Sequence, residues 1–361
     1  MTSAQSGAYL RLNEIQVIGS HNSYKKLPDP RVMKFLMKFR KQLGAENSPI
    51  RINYGHLPFD SQFMYHMRGL EIDIYNDPKG GALYKRKINA FVHGLPVRSH
   101  VEELKKPGLK VLHIKDVDYQ THYYTFKESL QALKQWSDAH PSHLPIFVNV
   151  EPKTGGPGDQ SKTLRFFGFK RVVAFDSTAY DEIDAEIRSV FGDSLNTVLT
   201  PDRLRGHYAN LKEMALDHGW PELDACRGKI VFIMLGGDKD MYLKGHPALS
   251  GRAMVIYGSP DRADVAFVMQ DESIGDSANI VKLVKEGYIV RTRSDIETMD
   301  ARANDPHRKL TAFASGAQIT STDYYVPDLR LSTFEVQWDG KHSGRINPVT
   351  TPTKKGGWLE E

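Results

Sequence analysis

A single cysteine, Cys226, in 361 residues excludes an internal disulfide and the thiolate-rich zinc sites, which need several thiolates. Such a lone thiol reads as a buried, inert side chain. Long apolar runs are absent as well. The longest, 230–235, falls far short of the roughly 20 residues that cross a bilayer as a helix. Nor is there much net charge: 48 Lys and Arg against 44 Asp and Glu leave +4, with basic pairs such as Lys25-Lys26 scattered along the chain. A nucleic-acid partner, which requires a concentrated basic stripe, is not expected. The slight positive excess leaves contact with anionic lipid surfaces open. Residues 1–13 hold no apolar signal-peptide core. Either the protein is cytosolic, or the chain starts just after a removed leader, which the polar opening Thr2-Ser3-Ala4-Gln5-Ser6-Gly7 suits.

What is present is the balance of an ordinary globular protein, 40% hydrophobic and 25% charged, able to bury a core without staples. The length allows two domains of ~150 residues, but α/β barrels of this size occur as one. No internal repeat, low-complexity tract or linker marks a boundary. Short β-branched runs recur at 15–18, 70–74, 110–114, 145–150, 229–235, 265–269, 287–291 and 317–321. They are continuous rather than alternating, as strands buried on both faces should be. Between them lie amphipathic stretches. Residues 126–139 place Phe126, Leu130, Leu133 and Trp136 on one helix face, and 277–286 place Ile280, Leu283 and Val284 inward, with Gly287 as the stop. Alternating strands and helices imply parallel βα units. The expected fold is α/β: a single-domain (β/α)8 TIM-type barrel with a core at about 14–327, a distorted middle at 155–228 and a C-terminal extension at 328–361. A doubly wound open sheet is the alternative.

In a parallel barrel, chemistry gathers at the C-terminal strand ends. The first strand ends in Gly19-Ser20-His21-Asn22-Ser23-Tyr24, the second in Glu71-Ile72-Asp73, the third in His113-Ile114-Lys115-Asp116-Val117-Asp118, the fourth in Glu151-Pro152-Lys153. Glu71 and Asp73, two residues apart on a strand, point to one face. Two like charges so close need a proton or a cation, and a hard divalent ion is the natural neutraliser. Asn22 and Glu151 would complete an oxygen-only site. Surface carboxylates paired with Lys or Arg are the bland alternative. His21 and His113 fall at the ends of strands one and three, where one ring can take a proton while the other gives one. A lone histidine is more often structural, and the chain has 14.

On these segments the sequence resembles the calcium-dependent phosphatidylinositol-specific phospholipases C of bacteria and fungi, relatives of the catalytic X region of the eukaryotic phosphoinositide enzymes. The likeness also runs through Pro107 to His113, Trp136-Ser137-Asp138, His143 to Phe147, Val290 to Asp295, Ser315 to Gln318 and Ser321-Thr322-Asp323-Tyr324, spanning residues 14 to 327. The resemblance implies His21 and His113 as the acid/base pair and Asn22, Glu71, Asp73 and Glu151 as calcium ligands, with magnesium or manganese as alternatives. Lys153 shares a face with Glu151 and would hold a substrate phosphate or hydroxyl, or else pair with Glu151 or Asp73. Arg291 and Arg293 would contact phosphate, or else pair with Asp295. Lys115, Asp116 and Asp118 would enter the site as ligands or orient His113, with Lys115 the one assigned to substrate. His93, in Val92-His93-Gly94, is the rival second histidine; His113 is preferred because it ends a strand.

The implied reaction cleaves phosphatidylinositol to diacylglycerol and inositol 1,2-cyclic phosphate, or on to inositol 1-phosphate. The implied partner is an inositol phospholipid, met transiently at a membrane surface by a monomeric enzyme. The family setting is secreted or periplasmic. A glycerophosphodiester phosphodiesterase, which shares the two histidines and the Glu-x-Asp pair, is disfavoured because His21 is followed by Asn22-Ser23 rather than Arg-Gly. A non-catalytic inositol-lipid-binding barrel would have no need of the proton-transfer pair.

Overall fold

The computed structural model describes residues 10–45, 47–351 and 357–361; the polar opening at residues 2–7 lies outside them. Eight parallel strands form the barrel: β1 (Ile15–Ser20), β2 (Gly69–Tyr75), β4 (Ile146–Pro152), β5 (Ile230–Met234), β6 (Val255–Ile256), β7 (Phe267–Met269), β8 (Ile289–Arg293) and β9 (Ile319–Thr322). Their order around the sheet is β6-β5-β4-β2-β1-β9-β8-β7. A parallel bridge from Tyr257 to Phe267 brings the two ends together, so the barrel is all but closed. The doubly wound alternative is excluded. Two short strands stand outside the ring: β3 (Lys110–Val111) pairs antiparallel with the end of β2, and β10 (Arg345–Ile346) pairs antiparallel with β1.

The third expected strand, 110–114, is therefore corrected. Only Lys110 and Val111 are extended, and they run against β2 instead of joining the parallel ring. The position beside β2 belongs to β4, and the eighth strand of the ring is Val255–Ile256, between β5 and β7 within the buried apolar run 253–257. The other strands fall within a few residues of expectation. β1, β2, β5 and β8 are buried along their whole length, as strands covered on both faces are; β5 is apolar throughout, while β2 and β8 bury charged residues on the inner face. Where β1 meets β2 the only register pair is Gly19 with Gly69. A Cβ on Gly19 would sit 2.6 Å from the Gly69 Cα, so this close approach demands glycine.

Helix Phe126–Ala139 is capped by Thr125, whose hydroxyl accepts from the Glu128 amide (3.1 Å), and it buries Phe126, Leu130 and Leu133 on the barrel. The stretch 155–228 is one long connection from β4 to β5 whose main element, helix Ser177–Phe191, begins at an Asp176 cap and ends before Gly192 at φ +82°. Helix Ser277–Lys285 stops as expected before Gly287, at φ +105°. Residues beyond 327 pack back on the barrel: Phe334, Val336 and Trp338 join Ile18 and Met67 in a second apolar cluster. Cys226 is buried, and burial pushes its thiol up to about 12.

Candidate active site

β2 and β4 are neighbours in a register that pairs Asp73 with Glu151. Adjacent residues on parallel strands face the same side, so Glu71, Asp73 and Glu151 converge, with carboxylate oxygens all within 4.8 Å of one another. Asn22, just past β1, adopts φ +50°, a left-handed turn that asparagine tolerates. The turn carries its amide into the same wall. There Asn22 Nδ2 donates to the Tyr54 hydroxyl (2.7 Å) and Oδ1 accepts from Tyr24 (3.3 Å).

Asp73 is fully buried, and neither of its oxygens has a well-directed hydrogen bond among the described residues. Burial raises its carboxyl well above the usual carboxylate range; Lys153 opposes this, while Glu151 and Glu71 push further up. Lys153 Nζ stands 3.1 Å from Asp73 and 3.2 Å from Glu151. Burial works against that ammonium, but Asp73 and Glu151 outweigh it and raise its pKa. The geometry thus joins Lys153 to the acidic cluster by ion pairs. With Arg291 on Glu71 (2.7 Å), two cations face three carboxylates, and a buried carboxylate whose Oδ1 has no partner among the described residues fits a hard divalent ion. Glu71, Asp73, Glu151 and Asn22 are the groups that would hold it.

His21 follows β1. Its Nδ1 lies 2.9 Å from Asp323 Oδ1 and 3.2 Å from the Tyr54 hydroxyl, and its Nε2 lies 3.5 Å from Glu71 Oε1. Burial alone would raise the Asp323 carboxyl. The charges of His21 and Arg293, with hydrogen bonds from His21 and His56, hold it well below the usual range instead. An ionised carboxylate only accepts, so His21 carries its proton on Nδ1, leaving the Nε2 lone pair facing Asn22 Nδ2 (3.3 Å) beside the acidic cluster.

His113 sits in the loop after β3. Its Nδ1 lies 2.8 Å from Asp118 Oδ2, which also takes Lys25 Nζ at 3.1 Å. Burial lowers the His113 pKa, and Asp118 opposes it. Burial would raise Asp118, but the Lys25 charge and the His113 hydrogen bond and charge bring it below the usual carboxylate value. Each imidazole is thus backed by an ionised, buried aspartate, and each aspartate by a buried cation: Arg293 Nη2 on Asp323 (3.0 Å) and Lys25 on Asp118.

The remaining expected residues take other positions. Arg291 is buried, and its guanidinium donates to Glu71 Oε2 (2.7 Å), Asp271 Oδ1 (2.7 Å) and Ser321 Oγ (3.1 Å). Arg293 binds Asp323, with Asp295 farther away at 3.8 Å. Lys115 Nζ is turned to the Arg171 carbonyl (2.7 Å). Asp116 Oδ1 accepts from the Lys87 amide (3.1 Å), so of the two aspartates after His113 it is Asp118 that orients the ring. His93 lies exposed after the turn Lys87–Phe91. Lys25, Tyr54, His56 and Asp323 surround the histidines without having been singled out as site residues. Asp323 lay within a noted motif at the end of β9, and the C-terminal ends of the late strands were the signal that would have found it.

The family model for calcium-dependent phosphoinositide phospholipase C matches residues 10–348. Among solved structures, the chain is similar to a calcium-dependent phosphoinositol-specific phospholipase C from a Gram-negative Pseudomonas species, described as a myo-inositol complex. That likeness has a TM-score of 0.54 at 16% identity, over 95% of this chain and 99% of that one. It is also similar to a calcium-dependent phosphatidylinositol-specific phospholipase C from Streptomyces antibioticus, with a TM-score of 0.50 at 16% identity over 87% of this chain and 95% of that one. At these identities the likeness is one of fold. No curated protein sequence matches the chain.

Proposed function

The chain belongs to the calcium-dependent phosphoinositide phospholipase C family, and from that premise we propose that it cleaves phosphatidylinositol by proton transfer between His21 and His113. The observation that carries this reading is the pair of aspartate-backed imidazoles, one of them 3.5 Å from an oxygen-only cation cradle.

In the proposed reaction His21 Nε2 takes the proton of the inositol 2-hydroxyl. That oxygen bonds to phosphorus, the bond from phosphorus to the diacylglycerol oxygen breaks, and His113 Nε2 protonates the departing oxygen. Asp323 and Asp118 fix both rings through Nδ1, so that each Nε2 is the reacting nitrogen. Calcium held by Asn22, Glu71, Asp73 and Glu151 would acidify the 2-hydroxyl and offset charge on the phosphoryl oxygens. The products are diacylglycerol and inositol 1,2-cyclic phosphate, the latter open to later hydrolysis. Lys153, ion-paired with Asp73 and Glu151, would meet a substrate oxygen in this proposal. Arg291 and Arg293 act on substrate only through Glu71 and Asp323, which they brace. The setting proposed with this activity is secreted or periplasmic, where calcium is plentiful enough for a site of modest affinity.

Phosphorus NMR of phosphatidylinositol vesicles tests the reading. A cyclic inositol phosphate signal that needs calcium and disappears in His113→Ala is expected. Turnover of soluble glycerophosphodiesters with no action on the lipid would replace it with the phosphodiesterase reading.

A further inference from the structure

Three segments distant in sequence meet beside the His113 loop. Helix Pro30–Lys38, the turn Lys87–Phe91 and helix Lys162–Phe166 lie in the connections that follow β1, β2 and β4. They share a small apolar core of their own, in which Val32, Leu36, Ile88, Val92 and Phe169 are buried apart from the barrel interior. Over it runs a chain of phenylalanine rings. Phe35 lies 5.1 Å from Phe39 and 6.3 Å from Phe91; Phe91 lies 6.2 Å from Phe167, which lies 5.5 Å from Phe166. Phe166 is 86% exposed and Phe39, Phe91 and Phe167 are 40–48% exposed. A connected apolar surface of that kind marks an interaction site.

The same segments are one-sided in charge. Residues 30–43, 85–91 and 162–171 contain five, three and four Lys or Arg and no Asp or Glu. These twelve come from a total of 48; the remaining 36 face 44 acids, so the rest of the chain is net −8. The near-neutral total conceals this because the basic residues are gathered by folding, not by sequence.

Given that the substrate is a membrane lipid, on which this inference rests, we propose that the surface docks the enzyme on anionic bilayers, whether or not an inositol lipid is in the cleft. Phenylalanine rings enter the interface while the surrounding Lys and Arg meet anionic headgroups. Single-stranded nucleic acid fits less well, since bases need free ring faces to stack on. Here the Phe91 face is stacked on Phe169, at 6.2 Å and 5° between planes. The surface is also tied to the catalytic loop. The Lys87 and Ile88 amides donate to Asp116 (3.1 Å each), and the Arg171 carbonyl accepts from Lys115, so docking brings the loop carrying His113 to the lipid.

The test is co-sedimentation with vesicles of phosphatidylcholine alone or mixed with phosphatidylglycerol, free of inositol lipid and with chelator present. The parent protein is expected to partition at least about tenfold more strongly onto the anionic vesicles, and less so as salt rises. The double variants F166S/F167S and R40E/K41E should each lose about tenfold of that partition. Their turnover of a monomeric, water-soluble inositol phosphodiester should stay within about twofold of the parent, which shows the fold and cleft intact. Equal binding to both vesicle types, undiminished binding by both variants, or stronger retention on a single-stranded oligonucleotide than on anionic vesicles would overturn the proposal. Selective binding to the anionic vesicles without turnover of any inositol phosphodiester would uphold the docking and remove the catalytic reading.

Discussion

Asp118 Oδ2 is shared between His113 Nδ1, at 2.8 Å, and the Lys25 ammonium, at 3.1 Å. Lys25 and Asp118 are both completely buried, so the carboxylate stays ionised only because these partners surround it. The ring is held in one tautomer by a charge that is itself held by another.

Asp118→Asn keeps the shape and removes the charge. Its kcat on phosphatidylinositol is expected to fall by about 10²–10⁴ while KM changes little. Thermal melts run alongside would separate this from a folding defect, and a variant retaining full kcat would dissociate Asp118 from catalysis.

His113 titrates low because burial disfavours its charged form. In the proposed role of general acid it must be protonated, so kcat/KM, which reports the free enzyme, should decline as pH rises through a value below the ordinary ~6.5. A bound phosphodiester anion favours the imidazolium. The corresponding decline in kcat should therefore sit at higher pH. Profiles of the two parameters that fall together would argue against His113 as the acid.

Cation binding to the carboxylate cradle should show without any turnover. Raising calcium from chelated levels to 100-fold above its dissociation constant adds about 2.7 kcal/mol of stability, a rise of a few degrees in Tm. Asp73→Asn should lose most of that rise in scanning calorimetry. An unchanged response in the variant would place the ion elsewhere.

Arg291→Met strips Glu71 of its 2.7 Å ion pair in a buried setting. The expected cost in chelator is roughly 3–5 kcal/mol, read from denaturant melts. With calcium present the loss should shrink, because the ion then shares the Glu71 charge. Equal losses in both conditions would separate Arg291 from the metal cradle.

The barrel was legible because strands buried on both faces leave continuous apolar runs, as at 146–148 and 230–235. That legibility did not extend to Val255–Ile256, although the apolar run 253–257 around that strand is buried like the others. At 110–114 the same pattern misled. Leu109 and Val111 are buried in the main core and Leu112 in a small cluster with Tyr75, Leu83 and Leu104, which requires apolar residues as a barrel strand does. Glu71, Asp73 and Glu151 were readable as a group from strand periodicity and the order of strand ends. The bracing of Glu71 by Arg291 and of His21 by Asp323 was not, because it depends on which strand ends meet beside or across the barrel when the sheet curls round.

That curling has a consequence for the timing of synthesis. β1 lies between β2 and β9, so His21 and the Asp323 that orients it are separated by 302 positions along the chain. A ribosome adds residues at about 5–20 per second, so the base would wait at least roughly 15 seconds for its partner. During that interval His21, Asn22 and the acidic strand ends already exist, but Nδ1 of the imidazole has the Tyr54 hydroxyl within reach and not yet the carboxylate. A nascent chain stalled short of the last strand would therefore lack the carboxylate that orients His21, and with it one wall of the barrel.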